Sequence, residues 1–185
     1  PAYAGLLMER EIEMLSKLLD APERPFAAIV GGAKVSDKIK VIDRLLSNVD
    51  MLVLGGGMAN TFLLAQGKAI GKSLAEPDRV EDARRILAKA EANGVRVVLP
   101  VDVIVAKEVT RGTEYKTIPA EKIPASWHIV DVGRATLDLM EAALTDAQTV
   151  FWNGPLGVFE IPSFAHGTRA IARFLATRAD AGATV

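Results

Sequence analysis

The chain has 185 residues, 50% of them hydrophobic and 24% charged, and its 22 basic and 23 acidic residues leave a net charge of −1. The two signs are interspersed, which excludes a strongly basic nucleic-acid surface or an acidic tail, and no apolar run reaches the ~18–20 residues of a membrane helix. The absence of cysteine excludes disulfides and thiolate metal sites and fits a reducing, cytoplasmic setting.

Residues Ala4–Leu19 carry a broad apolar stripe (Leu7, Met8, Ile12, Leu15, Leu18, Leu19) among charged residues, so they read as an amphipathic helix rather than a signal peptide. Pro22 and Pro25 end it. Short apolar strands are then expected at Phe26–Val30, Met51–Leu54, Arg96–Leu99 with a continuation through Val101–Ala106, Ile129–Val132 and Thr149–Trp152. Helical periodicities lie between most of them, at Lys34–Leu46, Met58–Ala65, Pro77–Asn93 and Ala135–Leu144, and a last helix is expected over Phe164–Arg178. Lys107–Ser126 has little period and reads as a long loop or small excursion. Ala183–Val185 reads as the first residues of another strand, so the expectation is a domain truncated at its C-terminal end.

Near-continuous Val/Ile/Leu strands alternating with helices indicate a three-layer α/β fold: a Rossmann-like parallel sheet of about five to six strands with helices on both faces. Glycine-rich turns follow three strand ends, at Gly31-Gly32, Gly55-Gly56-Gly57 and Asn153-Gly154-Pro155. In open α/β sheets ligands bind at the carboxyl ends of strands, so these turns are expected to converge on one crevice.

The run Gly31–Lys38 (GGAKVSDK) has the build of a phosphate site, with glycines before an expected helix start and Lys34 and Lys38 spaced to share one helical face. Two cations at a helix N-terminus oppose its dipole, at roughly 0.3–1 kcal/mol each, and a bound polyanion would remove the conflict. A tight turn with two solvated lysines is the alternative. Gly55–Gly57 suggests close approach to a flat ligand such as a purine, or else a strained turn with helix packing. In Phe151–Glu160 (FWNGPLGVFE), Asn153 offers amide donors and an acceptor, and Glu160 is suited to ribose hydroxyls or to solvent. Trp152 and Phe159 read as core or loop packing.

Gly67–Ser73 (GKAIGKS) mimics a P-loop but has three residues rather than four between its glycines and follows a helix, so it reads as a helix end and turn. His128 and His166 have no sequence partner for a catalytic triad. Asp102, inside an apolar run, reads as a loop or strand-end residue, and no metal-ligand spacing occurs.

Five strings occur in order: IVGGAKVSDKI, VLGGGMANTF, IGKSL, LPVDVIVA and VFWNGPLGVFE, preceded by PAYAGLLMEREI. Together they resemble the C-terminal, nucleotide-binding half of the phosphoglycerate kinase family. The resemblance implies an interdomain helix over 1–20 and a nucleotide-binding domain over 21–185. It implies reversible phosphoryl transfer between 1,3-bisphosphoglycerate and Mg-ADP, giving 3-phosphoglycerate and Mg-ATP in glycolysis, by a cytoplasmic, monomeric enzyme with no nucleic-acid or membrane partner. By position, Gly32, Ala33, Lys34 and Lys38 would contact the nucleotide phosphates, with Lys34 also stabilising the transferring group. Gly56, Gly57, Leu74, Val130 and Val158 would enclose adenine. Asn153, Pro155 and Gly157 would shape the pocket, and Glu160 would hold the ribose. Phosphoryl transfer needs positioning and charge stabilisation, which suits a site without a nucleophile.

The chain departs from the family pattern in three places. The family's N-terminal lobe, with its basic phosphoglycerate site, has no counterpart here, nor does its Gly-Gly-Gly-Asp loop, which supplies the Mg²⁺ aspartate. Ile129 stands where many members have glycine near the base. The expectation is therefore a chain that lacks turnover by itself, with a non-catalytic ADP/ATP-binding module as the alternative. A weaker alternative is an interaction domain using the stripe of Ala4–Leu19.

Overall fold

The computed structural model describes residues 22–185; the helix expected over Ala4–Leu19 and the interdomain helix assigned to 1–20 lie outside them. In chain order the elements are β1 (Phe26–Val30), α1 (Ile39–Leu45), β2 (Met51–Leu54), α2 (Gly56–Ala65), a 3₁₀ turn at Pro77–Arg79, α3 (Val80–Ala92), β3 (Arg96–Val98), β4 (Asp102–Ala106), β5 (Tyr115–Pro119), β6 (His128–Val132), α4 (Arg134–Leu144), β7 (Thr149–Asn153), a second 3₁₀ turn at Pro162–Phe164, and α5 (His166–Asp180).

Strands β3, β2, β1 and β7, in that order, form a parallel sheet. Side chains alternate across it because the strand period is two. Phe26, Ala28 and Val30 of β1 pack with Ile42 and Leu45 of α1, Met58 and Phe62 of α2, and Ala83, Ile86 and Ala90 of α3. Ala27 and Ile29 face the other way, onto Leu137, Met140 and Leu144 of α4 and Ile171 and Leu175 of α5. The three-layer α/β arrangement with helices on both faces is therefore present.

The expected five to six parallel strands are four. A second, three-stranded sheet in the order β5-β4-β6 takes the rest, and both of its pairings are antiparallel. The division falls after β3. Pro100 has no amide to continue a ladder, and the Val101 and Asp102 amides both donate to the Thr136 hydroxyl at 3.0 Å instead of to a strand. Ile129–Val132, expected in the parallel sheet, lies in β6 against β4. The long excursion Lys107–Ser126 contains β5, which is mostly exposed and so lacks the apolar alternation that would mark it. Beyond α5, Thr184 makes a parallel bridge to Thr149 of β7.

Helix α1 begins at Ile39 rather than Lys34, so Lys34 and Lys38 do not share a helical face. Residues Gly31–Lys38 form an irregular turn instead. Its amides are taken one by one: Gly31 donates to the Asn153 carbonyl (2.8 Å), Gly32 to the Pro155 carbonyl (3.1 Å), and Ser36 to the Glu76 carboxylate (2.9 Å). Among the described residues no helix is long and apolar enough to cross a membrane.

Candidate functional site

The three glycine turns meet at the carboxyl ends of β1, β2 and β7. A Cβ on Gly31 would collide with the Pro155 carbonyl oxygen and lie 2.8 Å from that of Gly154. Gly56 has φ +67°, and a Cβ there would sit 2.5 Å and 2.6 Å from the Gly32 carbonyl oxygen and nitrogen. These glycines therefore serve the contact of backbone with backbone, where a close approach to phosphate is expected at Gly31 and to a flat ligand, or a strained turn, at Gly56. The loop Asn153–Val158 joins the parts. Besides the two bonds to Gly31 and Gly32, its Leu156 carbonyl accepts from Gly56 (3.1 Å) and its Val158 amide donates to Val130 of β6 (2.8 Å).

This junction encloses a cavity of about 490 Å³ between the two sheets. Its floor is backbone-rich, formed by Gly32, Ala33, Gly56, Gly57 and Pro155, and the opposite side is apolar, formed by Leu74, Val130 and Val158 with Gly157 between; Glu160 stands on the lining as well. Ten of the residues singled out in the sequence are thus brought together. Lys34, Lys38 and Asn153 are not on the lining. The Lys38 ammonium donates to Oδ1 of Asn153 beside the Gly32 turn, and Lys34 is exposed near Glu76. Glu76 accepts from the Ser36 amide and hydroxyl (2.9 and 2.6 Å). Partial burial works to raise the Glu76 pKa, but those two bonds and the Lys34 charge outweigh it and hold the carboxyl below its usual range.

Four further polar residues stand on the lining: Asn60 and Asp131, which the sequence does not single out, and Lys72 and His128, which read there as part of a P-loop mimic and as a histidine without a partner. Asn60, 2% exposed, donates from Nδ2 to the Leu74 carbonyl (2.9 Å) and so holds the segment carrying Leu74. Lys72 belongs to the P-loop mimic. That segment docks on the second sheet, with the Lys72 amide on the Trp127 carbonyl (2.8 Å) and the Ser73 hydroxyl accepting from the Ile129 amide (2.8 Å). Ile129 thereby uses its amide inside the protein. Trp152 packs against the α4/α5 core and donates to the Gly154 carbonyl (2.7 Å), whereas Phe159 is 49% exposed and packs little.

Asp102 and Asp131 each interrupt an apolar strand, and each holds the start of a helix. The Asp102 carboxylate accepts from the Ala135 and Thr136 amides (3.1 and 2.7 Å) at the start of α4. Asp131 accepts from Val132 and from Gly167, near the start of α5, each at 2.9 Å. Negative charge is favourable at both places. Burial pushes the Asp131 carboxyl up to about 6, against the opposing hydrogen bonds and the nearby His166. An acid between valines in a strand was the available signal for both.

The family model described as Phosphoglycerate kinase matches residues 1–185. The chain is 56% identical over 176 residues to a phosphoglycerate kinase of Pelotomaculum thermopropionicum, covering 95% of this chain and 45% of that one. It is 51% identical over 185 residues to one of Methylorubrum extorquens, covering 100% of this chain and 46% of the relative. Its fold matches the structure of phosphoglycerate kinase from Coxiella burnetii with a TM-score of 0.90 at 44% identity, over 94% of this chain and 45% of that one. The chain thus spans a little under half the length of these relatives, and with its whole sequence matched it belongs to the phosphoglycerate kinase family.

Proposed function

We propose that the chain is the nucleotide-binding half of a phosphoglycerate kinase and that ADP or ATP occupies the cavity between the two sheets. The observation that carries this reading is the convergence of the three glycine turns and the Asn153–Glu160 loop on one cavity, backbone-lined on one side and apolar on the other. A purine fits the side made by Leu74, Val130 and Val158, and its ribose lies toward Glu160. The phosphates run over Gly32 and Ala33 to Lys38, whose ammonium Asn153 already holds beside the turn.

In the intact enzyme, a terminal oxygen of the ADP β-phosphate attacks the phosphoryl group of 1,3-bisphosphoglycerate. The bond from phosphorus to the carboxyl oxygen breaks, leaving 3-phosphoglycerate and ATP. Mg²⁺ arrives with the nucleotide as part of the substrate. Lys34 turns from Glu76 toward the transferring group and offsets its charge. Contacts to the phosphoglycerate come from the part of the enzyme represented in the relatives beyond this chain. The enzyme works in the cytoplasm as a monomer, without nucleic-acid or membrane partners.

Calorimetric titration of the 185-residue chain with Mg-ADP tests the pocket. Saturable binding that Lys38→Ala and Glu160→Ala each weaken about tenfold is expected, and no binding would sink the reading. A coupled assay on the same polypeptide should show no turnover.

A further inference from the structure

We infer that Asp131, which the family resemblance left without a role, is a positioning residue whose ionised carboxylate holds the apolar wall of the cavity in register with its floor. The inference rests on the nucleotide reading above and adds to it how the base-facing wall is held.

Asp131 is 1% exposed yet stands on the cavity lining, between the two lining residues Val130 and Val132. Its carboxylate touches three elements. It belongs to β6, it accepts the Gly167 amide of α5, and it lies where a Cβ on Gly157 would fall, 2.5 Å from the carboxyl carbon. A Cβ on Gly167 would be 2.5 Å from Oδ1. Glycine on both sides makes a socket that a carboxylate fills. The Gly157 side of that socket continues into Val158, whose amide is bonded to Val130, so moving the carboxylate moves both base-facing valines. The loop is also tied to α5 through the Leu156 amide and the Thr168 hydroxyl (3.0 Å).

The donor set selects the ionised form. Both hydrogen bonds that the Asp131 carboxylate accepts among the described residues come from amide N–H groups, those of Val132 and Gly167. Protonation therefore removes acceptor strength from one of two aimed amides. Burial resists the charge and brings the carboxyl to about 6, so the change falls in an accessible range. His166 on α5 is the titratable neighbour that acts on it. His128 at the head of β6, Lys72 and Glu160 share the cavity. Opposite Asp131, β4 presents Ile104, and α2 carries no charged residue.

A purely structural role changes stability alone, whereas a positioning role also weakens ligand binding by the folded protein. The test uses the full chain and its Asp131→Asn variant, with Mg-ADP titrated at pH 7.5. Adenosine, which has no phosphate to titrate, is followed by NMR from pH 8 to 5. We expect the folded Asp131→Asn variant, confirmed by its melting transition, to bind Mg-ADP about tenfold more weakly than the parent at pH 7.5. Adenosine affinity of the parent should fall as pH drops through about 6, and that fall should be missing from the variant. Equal affinity of the two proteins at pH 7.5, or the same pH profile in both, overturns the inference. If Asp131→Asn does not fold, the parent with His128→Gln and His166→Gln decides it: a fall through pH 6 that persists supports Asp131, and a flat profile overturns it. A parent that binds neither probe at any pH refutes the nucleotide reading itself and this inference with it, an outcome distinct from a parent that binds both without regard to residue 131.

Discussion

The floor of the cavity, built from Gly31–Ala33, Gly55–Gly57 and Gly154–Pro155, is held by main-chain bonds, with carbonyls of one turn accepting amides of another. Its apolar wall, built from Val130 and Val158, depends instead on the Asp131 carboxylate, which secures β6 against α5, while Asp102 of β4 holds the start of α4. The floor therefore tolerates almost no added atom, while the wall depends on the charge state of a buried side chain. Close main-chain packing does not titrate, whereas a buried carboxylate does, so only the wall responds to pH.

The contrast is broken most severely by Gly31→Ala. Its Cβ meets the Pro155 carbonyl, a rigid main-chain group, and one turn has to move. A loss of about 3 kcal/mol or more is expected in urea denaturation, with the cavity lost as well. An unfolding midpoint near that of the parent would show that the floor yields more easily than its geometry implies.

The wall answers to pH. Burial pushes the Asp131 carboxyl from its ordinary value of 3.8 up to about 6 in the folded chain, so the folded state binds the extra proton between those values. This group's contribution to stability is therefore fully present below about pH 4 and is lost as pH rises through 6. The size is on the order of 2–3 kcal/mol as an upper bound. Denaturation of the parent and of Asp131→Asn at pH 4.5 and 7.5 should show that component in the parent alone.

Asp102→Ala sharpens the comparison at a site distant from the glycine floor. It leaves the Ala135 and Thr136 amides without their acceptor, while the Thr136 hydroxyl loses Oδ1 and keeps the Asp102 carbonyl at 2.7 Å. About 2 kcal/mol is expected from thermal or urea unfolding, with Mg-ADP affinity in the folded protein nearly unchanged. The smallest effect should come from Gly67→Ala. Gly67 has φ +78° but nothing within 4 Å of a new Cβ, so only backbone strain of about 1 kcal/mol applies. A loss as large as that at Gly31 would mean that conformation, rather than contact, sets the cost of glycine replacement here.

Reading the sequence located β1, β2, β7 and the helices that cover them, because buried parallel strands are nearly all apolar and the helices carry their own period. It also singled out the three glycine turns, since glycines at strand ends are a local pattern. It missed the division of the strands into two sheets. That division turns on Pro100 and on the Thr136 hydroxyl taking the next two amides from 34 or 35 residues away. It misplaced the start of α1 for a similar reason: Glu76, 40 residues from Ser36, takes the amide and hydroxyl that a helical first turn would have presented.

The sequence by itself determined the α/β class, the family, and the chemical character of the cavity floor, because each of these is written in residues adjacent along the chain. Tertiary structure alone decided which partners those residues meet. It paired Lys38 with Asn153, set Lys34 beside Glu76, and brought Asp131 under a wall whose other half is residue 158. Local patterns record what a side chain can do. Burial and long-range hydrogen bonds then select among those possibilities, since an enclosed polar group must find its partner wherever the fold places one.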